Sequence, residues 1–286
     1  MNAPESSNPF KPTQALAPTP QMYKEMTADA MDNMAKASLS LIPKISSGAV
    51  VHDNGCGVGA GTGAMLAVSE PSATISVKAT DVDDRALAMY ENKAAENGWP
   101  AEASRMDANA LTFPDKTFTH SLMNAVVFVL PNDGIDAVKE IYRTLKPGGI
   151  AIINSIARAP NIVPIQQTAI KTRPEGTPLP RQGTEKWNAP DFLQSVIEKG
   201  GFHRERIRME QVSYTSFTKT DFTRFATMLW SFVGGTSSAG WLQSDEDRWD
   251  EAIEVLKQEL LKAKGFKLRD DGEEFEFLLN VAIATK

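Results

Sequence analysis

Residues 50–66 read VVHDNGCGVGAGTGAML, a short apolar run closing on Asp53 and Asn54, then five glycines at every second position from Gly55 to Gly63. An apolar run that stops at polar residues and glycine is the pattern of a buried parallel strand. A glycine-rich turn from such a strand into a helix is where phosphate- or nucleoside-bearing cofactors rest. The glycines alone do not choose the cofactor. No G-x-G-x-x-G occurs, because the final position is Ala60 counted from Gly55 and Thr62 counted from Gly57, although the variant ending in alanine fits Gly55, Gly57 and Ala60.

Working outward, strands and helices alternate. ATISVKATD reads as a β-branched strand ending at Asp81, DDRALAMYENKAAENG as a helix stopped by Gly98, and PAEASRMD as a weaker strand ending near Asp107. FTHSLMNAVVFVL supplies a fourth strand from about Thr119. Ile135, Val138, Ile141, Tyr142 and Leu145 then recur at helical spacing, with Pro147, Gly148 and Gly149 expected to end that helix before the strand IAIINSIA. This succession predicts βαβ units, a doubly wound α/β sheet.

Later come a helix over APDFLQSVIEKGG with Asp191 in its first turn and an extended FHRERIRMEQVSYTS. An apolar helix over TDFTRFATMLWSFVGG follows, then a helix with Trp249, Ala252, Ile253, Leu256 and Leu260 on one face and Ser244 as expected N-cap, and a closing strand EEFEFLLNVAIATK. No repeat or clear linker divides the chain. The expected organisation is an extended or disordered arm over 1–20 and a single domain over 21–286. Within it, 21–45 form N-terminal cap helices, 46–157 the cofactor-binding core, and 158–286 the substrate cap and closing strands.

Composition narrows the function. The 286 residues are 42% hydrophobic and 23% charged, as in ordinary globular proteins, and the net charge of −6 argues against a partner neutralised through phosphates. No apolar run approaches the ~20 residues that span a bilayer, and the N-terminus lacks the basic and apolar regions of a secretory signal. One cysteine, Cys56, excludes an internal disulfide, and three histidines without ligand spacing give no metal site. These features predict a cytoplasmic enzyme, monomer or homodimer, acting on a small-molecule acceptor rather than nucleic acid or membrane.

Three acids then discriminate among cofactors. Asp53, two residues before the first glycine and expected within the loop, would repel a pyrophosphate and attract an ammonium group. Asp81 stands at a strand end where a carboxylate accepts from both ribose hydroxyls, and Asp107 at the corresponding end of the third strand, in reach of an adenine amino group. One carboxylate each for amino acid, ribose and adenine describes S-adenosylmethionine.

Asp53-x-Gly55-x-Gly57-x-Gly59, Asp81, the MDA…FPDKTF stretch and EIYRTLKPGGIAIINS together resemble the motifs of class I S-adenosylmethionine-dependent methyltransferases over about Gly48 to Ser155. The resemblance implies a Rossmann-like, seven-stranded, mostly parallel sheet whose last strand, FEFLLNVAIAT, is antiparallel, with helical caps. VHDNGCGVGA, AAENGWPAEASRMDANAL and FTHSLMNAVVFVLP look most like small-molecule methyltransferases of fungal secondary metabolism, the gliotoxin-type thiomethyltransferases among them.

The residues expected to hold the cofactor are Asp53, Gly55, Cys56, Gly57, Gly59, Asp81, Val82, Asp107, Ala108, Asn124, Ala125 and Tyr23. Asn124 and Ala125 end the fourth strand, where sulfonium and acceptor meet in this family, and Tyr23 belongs to a helix that would close over the methionine part. Gly61 and Gly63 serve the helix start. Phe128, Phe217 and Trp230 are expected to touch the acceptor, the latter two within an aromatic and methionine-rich stretch that includes Phe225, Met228 and Trp241. That stretch favours a flat, largely apolar acceptor, with core packing as the alternative for each ring. His52, His120 and His203 are read as structural, and Cys56 as a backbone contributor rather than a nucleophile. No catalytic residue is assigned: in-line transfer from sulfur needs chiefly alignment and exclusion of water. Two other functions fit less well: a methyltransferase-like protein without methyl transfer, acting as a pericyclase or regulator, and an NAD(P)-dependent oxidoreductase.

Overall fold

In the computed structural model, which describes residues 10–286, the stretch that opens the reading is strand β1 (Val50–Asn54) followed by a turn and a helix. The chain begins with α1 (Pro20–Thr27) and α2 (Ala30–Leu39). After β1 come α3 (Ala60–Ala67), β2 (Ser76–Asp81), α4 (Asp84–Glu96), β3 (Ala101–Arg105), β4 (Phe118–Met123), α5 (Ile135–Thr144) and β5 (Leu145–Arg158). The later elements are α6 (Ile162–Thr172), α7 (Pro190–Lys199), β6 (Ile207–Thr218), α8 (Phe222–Trp230) and α9 (Val233–Thr236). The chain closes with α10 (Gln243–Asp247), α11 (Trp249–Lys262), β7 (Phe266–Arg269) and β8 (Gly272–Thr285).

The sheet runs β3-β2-β1-β4-β5-β8-β6, with β7 paired to β8 as an eighth strand. Pairings β3–β2, β2–β1, β1–β4 and β4–β5 are parallel. The backbone of Lys286, just past β8, bonds to Gly148 and Gly149 near the start of β5. A strand that ends where its neighbour begins runs opposite to it, so the sheet is mixed, the Rossmann-like arrangement of class I methyltransferases. β3 reads weakly in sequence because it is the edge: most of its side chains face solvent, and Glu102 pairs with Lys78 of β2.

The described residues divide into two compact units, one of residues 31–157, 186–214 and 278–286, the other of 10–30, 158–185 and 215–277. The first carries the sheet core. Phe118, Met123, Val138, Ile141, Leu145 and Ile153 are fully buried there with Leu193 and Ile197 of α7. His52 is equally buried, stacked on Phe118 at 4.7 Å and hydrogen-bonded to Thr80 at 2.9 Å. Burial pushes its pKa down to about 3, so the ring stays neutral and structural.

The second unit packs α6, α8 and α11 around Phe225, Met228, Trp230, Ile253 and Leu256. Inside it, Arg173 and Asp245, both without exposed side-chain surface, form a two-pronged ion pair at 2.8 Å. Residues 1–9 of the expected disordered or extended arm lie outside the described residues. Its remainder is held, not loose: Thr13 donates through backbone and hydroxyl to Glu246, and the Leu16 N–H donates to Ser231.

Three local expectations need correction. Helix α5 ends at Thr144, and Pro147, Gly148 and Gly149 belong to β5, where pairing with β4 shifts register between Phe118 and His120. Ser244 is not an N-cap. The expected long helix is split into α10 and α11, and it is Asp245 that accepts the Leu242 N–H at α10's start. Residues 162–172, not assigned from sequence, form α6, with Pro164 in the first turn, where a missing N–H costs nothing.

Candidate active site

β1 delivers Asp53 to the head of α3. The carboxylate lies inside the strand rather than in the loop and is 1% exposed. Its Oδ2 accepts from the backbone N–H and the hydroxyl of Thr62, both at 2.7 Å. A side chain added at Gly61 would come within 2.4 Å of Asp53 Oδ1, so Gly61 is the space the carboxylate occupies. Burial raises the Asp53 pKa to about 6, against the two Thr62 hydrogen bonds, and the Asp81 charge adds to the rise. A cation placed beside this carboxylate would relieve both the desolvation and the repulsion. The Thr62 hydroxyl also meets Tyr90 of α4 at 2.8 Å.

The loop is anchored where the Thr80 carbonyl accepts the N–H groups of Gly55 and Cys56, at 2.8 and 2.9 Å. Asp81, at the carboxyl end of β2, accepts from Gly57 N–H at 2.9 Å through Oδ2 and from Asp83 N–H at 3.0 Å through Oδ1. The second acid thus shapes the glycine turn while remaining partly open. The glycines differ in use. Gly57, at φ +50°, has open space where a Cβ would point, as a cradle for a ligand requires. Gly59, at φ +89°, is the residue before α3, and a Cβ there would lie 2.7 Å from the Trp99 ring. The missing Cβ lets it pack closely under that aromatic ring.

Two exposed aliphatic side chains flank this turn in sequence, Val58 in the loop and Val82 after Asp81. Asp107 lies two residues beyond β3, exposed, its Oδ1 accepting from the backbone and side chain of Asn109 at 2.8 Å, and Ala108 beside it is buried. Cys56 is buried, and its thiol pKa is pushed well up by burial and by the charges of Asp53 and Asp81. A thiol so disfavoured as thiolate is not a nucleophile.

At the end of β4, Asn124 and Ala125 form a fixed platform. Ala125 holds φ +62°, a strained value for a residue with a Cβ. Buried Asn154 of β5 secures it: its Oδ1 accepts the Ala125 N–H at 2.7 Å, and its Nδ2 donates to Asn124 Oδ1 at 2.7 Å and to Ser38 of α2 at 2.8 Å. Asn124 in turn donates to the Met31 carbonyl at 3.3 Å. Thr62 and Asn154 are the positioning residues missed in the sequence. The signal for Asn154 was an Asn-Ser pair inside the apolar run IAIINSIA.

Phe128 is partly buried against the core, edge-on to Trp187. Tyr23, Phe217 and Trp230 belong to the other unit. Trp230 is fully buried in that unit's core with its indole N–H unpartnered, Phe217 is partly buried, and Tyr23 is exposed. Among the described residues, no group of three or more His, Cys, Asp or Glu side chains could hold a metal ion, and no helix is long and apolar enough to cross a membrane.

The sheet order, a turn opening on Gly57 and acids ending β1 and β2 fit an adenosyl cofactor with a cationic amino-acid tail. Comparison with known proteins agrees. Residues 52–153 match the family model of a methyltransferase domain. Among solved structures, a candidate methyltransferase of Bacillus halodurans is similar at 19% identity and TM-score 0.56, over 88% of this chain and 98% of that one. The YcgJ protein of Bacillus subtilis matches at 14% identity and TM-score 0.52, over 89% and 97%. A Haemonchus contortus phosphoethanolamine N-methyltransferase, bound to phosphomonomethylethanolamine and S-adenosylhomocysteine, matches at 15% and 0.53, over 93% and 58%. At these identities the likeness is one of fold, while the family match is one of sequence. Residues 52–153 therefore match a methyltransferase domain within a fold shared with known methyltransferases, and that match implies S-adenosylmethionine as the methyl donor.

Proposed function

We propose that the protein methylates a small, largely apolar, natural-product-like acceptor at oxygen, sulfur or nitrogen, as the fungal secondary-metabolite methyltransferases it resembles do, thiomethyltransferases of the gliotoxin type included. S-adenosylmethionine supplies an electrophilic methyl group on a sulfonium. Gly55 and Gly57 cradle the cofactor, Asp81 takes the ribose hydroxyls, and Asp107 with Ala108 and Val82 receives the adenine. Asp53, held by Thr62 behind the turn, supplies a buried negative charge toward the ammonium end.

The observation that carries the reading is the Asn124–Ala125–Asn154 platform. Every side chain bonded into it is a neutral amide or hydroxyl, and the buried Cys56 and His52 are held away from proton transfer at neutral pH. A platform whose own groups include no base favours acceptors that are already nucleophilic or ionise readily: thiols, acidic phenols and amines. The protein's contribution is then alignment and exclusion of water.

Incubation with methyl-labelled cofactor and a panel of aryl thiols, phenols and amines tests this. Label should enter acceptors of low pKa, with rates rising as they ionise. Saturable cofactor binding with no S-adenosylhomocysteine from any acceptor would contradict it and favour the methyltransferase-like reading without transfer.

A further inference from the structure

Tyr90 of α4 carries a hydroxyl that packing alone does not call for. Its side chain is fully buried in the cluster of Cys56, Ala79, Leu87 and Ala94, with the ring edge-on to Trp99 at a centroid distance of 6.0 Å. A phenylalanine would fill the same space, and burying a hydroxyl is costly unless it finds a partner. The partner is the Thr62 hydroxyl of α3 at 2.8 Å, which itself lies 2.7 Å from Asp53 Oδ2. Thr62 has one hydroxyl proton. Given to the Asp53 carboxylate, it leaves the Thr62 oxygen as an acceptor, so the Tyr90 phenol donates to it. Side chains from α4, α3 and β1 thus form one directed chain, from Tyr90 through Thr62 to Asp53.

The chain has little freedom to rearrange. Gly59 and Trp99 confine the Tyr90 ring: a Cβ at Gly59 would lie 3.2 Å from Tyr90 Cδ2 and 2.7 Å from Trp99. Lys93 stands 5.5 Å over the Trp99 ring and reaches Asp32 of α2 at 3.6 Å. At the other end, the Thr62 N–H gives Asp53 Oδ2 a second bond of 2.7 Å, and Gly61 packs against Oδ1. The charges acting on Asp53 are Asp81, which opposes its ionisation, and Lys93, which favours it. The Cys56 thiol and the Tyr90 phenol stay neutral, both pushed up by burial. A donor chain ending on a carboxylate stabilises the charged form, and each link polarises the next. Burial pulls the other way and puts Asp53 at about 6, so its ionisation depends on the donors it is given.

We infer that Tyr90 is a positioning residue for cofactor binding: through Thr62 it holds Asp53 charged and oriented to serve the amino-acid end of S-adenosylmethionine. The inference rests on the role proposed above for Asp53 and extends it to a residue with no exposed surface of its own. Tyr90 sets affinity for the ammonium group and leaves the hold on the adenosine part untouched.

Two ligands that share adenine, ribose and sulfur separate this role from a structural one. S-adenosylhomocysteine has the ammonium group, whereas 5′-methylthioadenosine lacks the whole amino-acid part. Calorimetry on the full chain at neutral pH should give Tyr90→Phe an affinity for S-adenosylhomocysteine about three- to tenfold below wild type, the loss of one hydrogen bond, with 5′-methylthioadenosine affinity unchanged. In an Asp53→Asn background, Tyr90→Phe should add no further loss. S-adenosylhomocysteine binding to wild type should weaken as pH falls through about 6, where Asp53 takes up its proton, and that midpoint should move up in Tyr90→Phe. Equal losses for both ligands, no loss for either, an unmoved pH midpoint, or the same loss in the Asp53→Asn background overturns the inference while leaving the methyltransferase reading in place. Failure of wild type to bind either ligand overturns that reading, and the inference with it.

Discussion

Alanine at Gly61 and alanine at Gly63 should shift stability in opposite directions, although both residues lie in α3 and two positions apart. Glycine within a helix costs about 0.5–1 kcal/mol relative to alanine, so propensity alone makes both substitutions stabilising. At Gly63 little opposes that gain, since the nearest atoms to a new Cβ are on the rim of the Trp99 ring at 3.3 and 3.5 Å. At Gly61 the new Cβ falls 2.4 Å from Asp53 Oδ1 and 2.9 Å from its Cγ. Overpacking a tight buried site costs ~1–3 kcal/mol. Displacing the carboxylate also strains two Thr62 bonds worth about 1.5–3 kcal/mol each. Net, Gly61→Ala should lose roughly 2 kcal/mol or more and weaken S-adenosylmethionine binding, whereas Gly63→Ala should gain up to about 1 kcal/mol with binding intact. Urea unfolding followed by circular dichroism, with cofactor calorimetry on the same samples, reads both. A Gly61→Ala protein as stable as wild type with undiminished affinity would refute the packing of Asp53 against α3.

Other perturbations follow from the same structure. Glu273, buried with both carboxylate oxygens unpartnered, has its pKa raised to about 7 by burial and by the Asp221 charge. A carboxyl raised in the folded state stabilises below its ordinary value near 4.5 and loses that contribution as pH climbs through 7, so stability should fall between pH 5 and 7.5 by as much as ~3 kcal/mol. Glu273→Gln should flatten that slope in unfolding curves taken across the range. Asp245→Asn strands buried Arg173 and should cost about 3–5 kcal/mol in urea melts, the usual penalty for halving a buried pair. Asn154→Ala should lower kcat at least tenfold by freeing Ala125 and Asn124, with a smaller change in cofactor affinity and a stability loss of about 1–3 kcal/mol.

What was legible in the sequence was what local rules decide. The apolar run, the glycine turn after it and Asp81 at the end of β2 obey short-range spacing, and the structure places them as that spacing requires, with Asp53 inside the strand rather than in the loop. What was not legible depends on partners far along the chain. Asp245 interrupts the expected long helix because it answers Arg173, 72 positions earlier in sequence. Asn154 matters because it reaches Ala125 and Ser38, and nothing in IAIINSIA says so. Hairpin β7–β8 turns through Asp270 and Asp271 between the paired Arg269 and Gly272, and β7 spans only four residues. Asp53 stands out in the sequence by its place before the glycines, but its burial and its hold on Thr62 emerge only once α3 packs over it.

The central claim, that β1, the glycine turn and β2 together bind S-adenosylmethionine, is tested most directly by calorimetric titration of wild type and Asp81→Ala with the cofactor. The account predicts one saturable site per chain and an affinity at least about tenfold weaker in Asp81→Ala, from loss of two charged hydrogen bonds to ribose. No binding heat in wild type, or equal affinity in the two proteins, would contradict it.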